Sequence, residues 1–227
     1  MCPAPGPAAR GRVLLVDLNN FARYPTVAIG SLVAILRRAG FEVDVFSPLS
    51  IGVPGLEREP RAPSWGRLDH YARHLSANLA PAPLRALRAR VSALRHPVGS
   101  RRAKRVLREL EDRLDRRPDV VLVSTYLMYR ELVARLADRC AARGVPLVVG
   151  GAYFAQPEVL DAWRAIPGVT AIFGGEGEGH VLPLLDAVAN GADLLTLPGV
   201  STAAGRGRAA RPLVDLDSLP FPDYRDF

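Results

Sequence analysis

The sequence predicts a doubly wound α/β domain: a Rossmann-like (flavodoxin-like) parallel sheet of five strands that carries a helical insertion. Three observations predict it. Short runs rich in Val, Ile and Leu, such as "RVLLVDL" (Arg12–Leu18) and "DVVLVST" (Asp119–Thr125), have the length and content of buried strands. Longer segments follow them with apolar residues at helical spacing, such as "YRELVARLADRCAARG". The two kinds alternate along the chain, as parallel strands joined by crossover helices do.

Taken in order, residues 1–11 lack the apolar core of a signal peptide and are expected to be a disordered lead-in. After the first strand, "TVAIGSLVAILRRAG" is apolar on a broad face and closes at Gly40, a natural C-cap. "FEVDVFSP" alternates and stops at Pro48, giving a second strand. Together they make a βαβ unit with parallel strands. From about residue 51 to 117 the chain becomes arginine-rich with Leu and Val at helical spacing, and Pro81, Pro83 and Pro97 break it into three helices. This is read as an insertion into an α/β domain of residues 12–205. The α/β rhythm resumes with "DVVLVST", the amphipathic helix ending at Gly144, "PLVVGG", "PEVLDAWRAIPG", "VTAIFGG" and "EGHVLPLLDAVANG". "GVSTAAGRGRAARPL" reads as a small hairpin turning near "GRG". Residues 206–227, with Pro220 and Pro222 and no periodicity, read as an extended linker.

With 227 residues, 48% of them hydrophobic, the chain can bury one good core. Cys2 and Cys140 suggest neither a disulfide framework nor a metal site, which fits a reducing, cytoplasmic setting. No apolar run reaches membrane length. The net charge of +7, nearly all from arginine since Lys104 is the sole lysine, invites a nucleic-acid reading. Yet the arginines alternate with leucines, as on the outer face of a helical bundle, and the aromatics of single-strand binders are missing. A surface for docking another protein or domain fits better, and nucleic acid is not an expected partner.

Ligands of doubly wound sheets bind beyond the carboxyl ends of the strands. The residues there are "DLNNFARYPT", "STYLMY", "GGAYF" and "GGEGEGH". The first loop has no G-x-G-x-x-G and no phosphate-loop lysine, so the two standard nucleotide sites are excluded. Gly150 and Gly151 fit either a tight turn or a slot opened by missing side chains. Ser124 and Thr125 fit a helix cap as well as a ligand contact. In "GGEGEG", Glu176 and Glu178 can complement the positive end of the next helix, which leaves the density of glycine unexplained. His70 and His74 have the i, i+4 spacing of a helical metal site, but Asp69 is the sole further ligand nearby and a solvated face accounts for them better. No nucleophile–base pair or carboxylate pair is placed for catalysis.

Three stretches carry a resemblance: "PDVVLVSTYLMYRELVARLADRCAARGVPLVVGGAYFAQPEVL", "VTAIFGGEGEGHVLPLLDAVANG" and "LPGVSTAAGRGRAARPLVDLDSLPFPDY". In this order they resemble the N-terminal cobalamin (vitamin B12)-binding domain of cobalamin-dependent radical SAM enzymes. The likeness covers Asp119–Phe227 well and Arg12–Ser47 loosely; the closing "DLDSLPFPDY" is its most specific part. The resemblance implies cobalamin over the strand ends, with its nucleotide tail in a slot lined by Ser124 and Thr125. Gly150, Gly151 and Ala152 would flank the slot, with Gly174, Gly175, Glu176 and Gly177 opposite. Asn19 and Asn20 would bond corrin amides, a looser match. The D-x-H-x-x-G motif is missing, so no histidine would ligate cobalt; Met128 or Tyr126 would lie beneath it, with Leu127 behind. The resemblance further implies methylcobalamin and methyl transfer. The sequence has no C-x-x-x-C-x-x-C, so a 4Fe-4S cluster and S-adenosylmethionine would sit on a radical SAM domain or separate partner protein. The alternative is a degenerate domain of this type that serves as a protein-interaction module.

Overall fold

The computed structural model describes residues 10–18, 26–53, 81, 83, 101–213 and 215–226. The chain divides into two compact units, Met1–Gly55 with Val106–Phe227, and Leu56–Arg105. The first is the α/β unit. Most of the predicted insertion, His70, His74, Asn19 and Asn20 lie outside the described residues.

Strand β1 (Arg12–Asp17) leads to helix α1 (Val27–Arg38) and strand β2 (Glu42–Phe46). Helix α2 (Arg101–Leu114) precedes β3 (Val120–Ser124), α3 (Arg130–Ala142), β4 (Leu147–Gly150), α4 (Pro157–Arg164), β5 (Ala171–Phe173) and α5 (Val181–Ala189). Two short strands follow, β6 (Val200–Thr202) and β7 (Gly205–Arg206). The sheet runs β2-β1-β3-β4-β5-β6-β7, with parallel pairing through β5 and antiparallel pairing beyond it. The parallel part has the flavodoxin-like order, reversing between β1 and β3.

The expectation of five strands is thus corrected to seven among the described residues, because the hairpin joins the sheet at β5. Its turn is Ala203–Ala204, upstream of "GRG". Gly207 lies beyond β7, where its N–H donates to Val200 O at 2.9 Å.

Alternation along the strands divides the core. Val13, Leu15, Val43, Val45, Val120, Leu122, Val148, Ala171 and Phe173 face α1 and α5. Leu14, Val16, Val121, Val123, Val149 and Ile172 point to the other face and are equally buried. Each fully buried aliphatic side chain contributes about 1.5–3 kcal/mol, which explains why strands buried on both faces read as near-continuous apolar runs. In α3, Leu132, Val133, Leu136, Ala137 and Cys140 form the buried stripe that its periodicity announced. Burial pushes the Cys140 thiol up to about 12, so it is an inert core residue.

Arginines of this unit are largely answered by acids. Arg113 pairs with Asp44 and lies 5.1 Å over the Phe46 ring; Arg139 pairs with Glu111, and Arg143 with Asp115 at 2.8 Å. Among the described residues, no helix is long and apolar enough to cross a membrane.

Candidate functional site

The strand-order reversal creates a crevice at the carboxyl ends of the central strands. There a cavity of about 360 Å³ opens between α1 and α5. Leu15, Leu122, Val148 and Phe173 of the sheet form its floor; Ala28 and Leu32 of α1 form one wall, and Val181 and Leu184 of α5 the other. Gly175–Glu178 and Ser124–Tyr126 complete the lining. It is a mostly apolar cleft with a few polar groups at its mouth, the usual character of a small-ligand site.

Register explains how it is held open. Asp17, Ser124, Gly150 and Phe173 are successive partners across β1, β3, β4 and β5. Gly150 thus leaves a gap in the row between a hydroxyl and an aromatic ring. A Cβ at Gly150 would meet nothing nearer than Phe173 O at 3.9 Å, so the space there is free. At Gly177 the nearest atom is Leu32 Cδ2 at 3.5 Å, across the mouth.

Neighbouring glycines differ. A Cβ at Gly151 would lie 2.5 Å from Thr125 O, and one at Gly174 would lie 2.5 Å from Phe154 O. One at Gly175 would lie 2.9 Å from Ala210 Cβ, with φ at +154°. In these three, the protein's own backbone or side chains occupy the space that the missing side chain frees.

The end of β3 forms the outer part of the site. Thr125 is 1% exposed, and its hydroxyl donates to Tyr126 O at 3.2 Å. Leu127 and Met128 lie on the 3₁₀ turn Leu127–Tyr129 and are 39% and 42% exposed. Tyr153 is also exposed and packs edge-on against Tyr126, with ring centroids 5.6 Å apart. These side chains make an apolar shelf beside the cavity mouth. Beneath it Tyr129 is buried, and burial, reinforced by the negative charge of Asp17, raises its phenol to about 12. It stays neutral at ordinary pH.

Of the residues singled out from sequence, Ser124, Thr125, Tyr126, Gly150, Gly151, Gly175, Glu176 and Gly177 line this one cavity. Leu127 and Met128 sit on the shelf; Ala152 opens the 3₁₀ turn Ala152–Ala155 after β4. Gly174 lies behind the lining, against Phe154. Glu176 holds the N-cap position of the 3₁₀ turn Gly177–Gly179 that leads into α5, but its side chain makes no cap bond there; its carboxylate accepts from Leu213 N at 2.6 Å.

Sequence reasoning missed the α1 wall, Tyr153 and Thr26. Thr26 lines the cavity, and its buried Oγ1 has no hydrogen-bond partner among the described residues. An orphaned hydroxyl costs about 1–3 kcal/mol, and a turn about χ1 would offer it to a polar ligand. Thr26 holds the N-cap position of α1, but its side chain makes no cap bond.

The class of protein this defines is an open, doubly wound α/β domain with a narrow apolar slot at its switch point. Solved structures share the fold. OxsB, described as a cobalamin-dependent S-adenosylmethionine radical enzyme, matches with a TM-score of 0.55 at 16% identity, over 94% of this chain and 24% of that one. Its form with aqua-cobalamin and S-adenosylmethionine bound matches at 0.53, with the same identity and coverage. The radical S-adenosylmethionine methyltransferase TsrM from Kitasatospora setae, with cobalamin and a [4Fe-4S] cluster bound, matches at 0.50 and 19% identity, over 96% of this chain and 32% of that one. The chain therefore spans a quarter to a third of the length of these proteins. No family profile and no curated protein matches it.

Proposed function

We propose that the chain is a cobalamin-binding domain that supports radical SAM chemistry, with methyl transfer as the outcome. One observation carries this reading: the slot lies at the switch point beside an exposed apolar shelf, and Gly150 empties its floor. The residues suit the group. Cobalamin is a large, mostly neutral ligand with a thin tail bearing a single phosphate, so an apolar slot with free space at Gly150 and Gly177 accommodates it better than it would a nucleotide triphosphate. Thr26, Ser124 and backbone donors near Gly151 would bind the tail, while Leu127, Met128, Tyr126 and Tyr153 would support the corrin face. No histidine stands among these residues. When bound, cobalamin supplies a cobalt centre that can carry a methyl group. The chain's own part is to orient it and to exclude water from the tail. Cluster, S-adenosylmethionine and substrate would belong to a radical SAM domain or partner, as the domain arrangement of the fold neighbours supports.

The test is to mix the purified chain with hydroxocobalamin, desalt, and record the visible spectrum. Retained corrin absorption in near-equimolar amount supports the reading. A colourless protein favours the second reading, an interaction module, in which the exposed Leu127, Met128 and Tyr153 would meet a protein surface instead.

A further inference from the structure

The two walls of the slot are far apart in sequence, and one continuous segment touches both from outside. Beyond β7, Ala210 fills the space over Gly175 and Gly199, where an added Cβ would meet it at 2.9 and 2.8 Å. Leu213 N donates to Glu176 at 2.6 Å, at the loop that leads into α5. A few residues on, the same segment reaches α1. Asp223 N donates to Gly30 O at 2.9 Å, and the ring of Tyr224 lies where a Gly30 side chain would begin, 2.5 Å away. Arg37 of α1 binds Asp223 at 2.9 Å and Asp226 at 2.8 Å, with all three side chains less than one-third exposed. On the inner side the walls also approach each other, with Leu32 Cδ2 3.5 Å from where a Gly177 side chain would begin.

We infer that residues 207–213 and 215–226 act as a strap that holds α1 against the β5–α5 loop, and that Gly30 and Arg37 are positioning residues for whatever occupies the slot. The inference rests on the proposed cobalamin site for the identity of that occupant, though not for the mechanics. Near the start of α1 the Thr26 side chain makes no cap bond, and Gly30 and Arg37 carry the ties to the tail. Releasing the strap frees α1 to move from Gly177 and widens the mouth. Gly30 has no turn or positive φ to explain it, is the fourth residue of α1, where Ala would be favoured by about 1 kcal/mol, and is explained by the tail, whose Tyr224 and Pro222 occupy the place of its side chain.

The test uses the full chain with Gly30→Leu, Arg37→Ala and Arg37→Lys. Hydrogen exchange first reports whether the Asp223 amide has lost protection, which shows undocking. Bound hydroxocobalamin is then chased with excess cyanocobalamin and its release followed by absorbance. Gly30→Leu and Arg37→Ala should release it about tenfold faster, with Arg37→Lys close to wild type. In ligand-free protein, the amides of Gly177–Gly179 should exchange faster in the two undocked variants, with circular dichroism unchanged. Undocked variants with wild-type release and wild-type exchange at Gly177–Gly179 would overturn the strap. A wild-type chain that retains no corrin would instead count against the cobalamin reading, and the exchange measurement would still decide on the strap.

Discussion

The dipeptide Gly-Gly closes β4 and then follows β5, on neighbouring strands of one sheet, and the two copies do different work. At Gly150 an added side chain would enter empty space; at Gly174 it would strike the backbone of Phe154. The first glycine leaves room open at the crevice, and the second makes room for the protein's own backbone. The comparison teaches that glycine density at strand ends is a mixed signal. Only the neighbours of each Cβ position show which glycines could answer to a ligand.

The contrast can be broken by substitution. The largest effect is expected at Gly174→Val, which forces a branched side chain against a carbonyl and should lower stability by about 3 kcal/mol, read by thermal or urea unfolding. Gly150→Val should leave stability within about 1 kcal/mol, since Val suits a strand and meets no atom closely. It should weaken corrin retention by about thirtyfold, measured by titration with hydroxocobalamin. If Gly150→Val unfolds the protein as Gly174→Val does, the distinction collapses.

Gly175 stands between the two cases. Gly175→Ala should cost about 1–2 kcal/mol through its contact with Ala210 and its positive φ. Adding Ala210→Gly should recover the steric part and leave the backbone part, so a double-mutant cycle separates them. The smallest effect is spectroscopic. Tyr129, held near 12 by burial and Asp17, should ionise later than the exposed tyrosines when absorbance at alkaline pH is followed. Its raised value means that its contribution to stability is whole below about pH 10 and is lost as pH climbs through about 12.

Much of the fold was legible because buried parallel strands announce themselves. "RVLLVD", "VVLVS" and "LVVG" can hardly be anything else, and Gly40 and Gly144 close helices in the left-handed region as expected. The hairpin's place in the sheet was not legible, since β6 and β7 are too short to carry a pattern and pair by edge geometry alone. The site was legible as a set of strand ends and not as a cavity. Its α1 wall is built from Ala28 and Leu32, which read as ordinary core residues until register places them over the floor. The place of Glu176 at a helical start was legible, but its partner Leu213, 37 residues away, lies beyond the reach of local rules. The same holds for Gly30, whose reason is Tyr224.

The bond from Arg37 to Asp223 spans 186 residues. During synthesis at about 5–20 residues per second, helix α1 therefore waits roughly 10–40 s for the residues that cover its outer face. The βαβ half of the sheet can form in that interval while one side of the slot is still bare. Closing such a long loop is the last and least local step in building the domain. The outer face of α1 is consequently covered late, when Asp223 and Asp226 arrive.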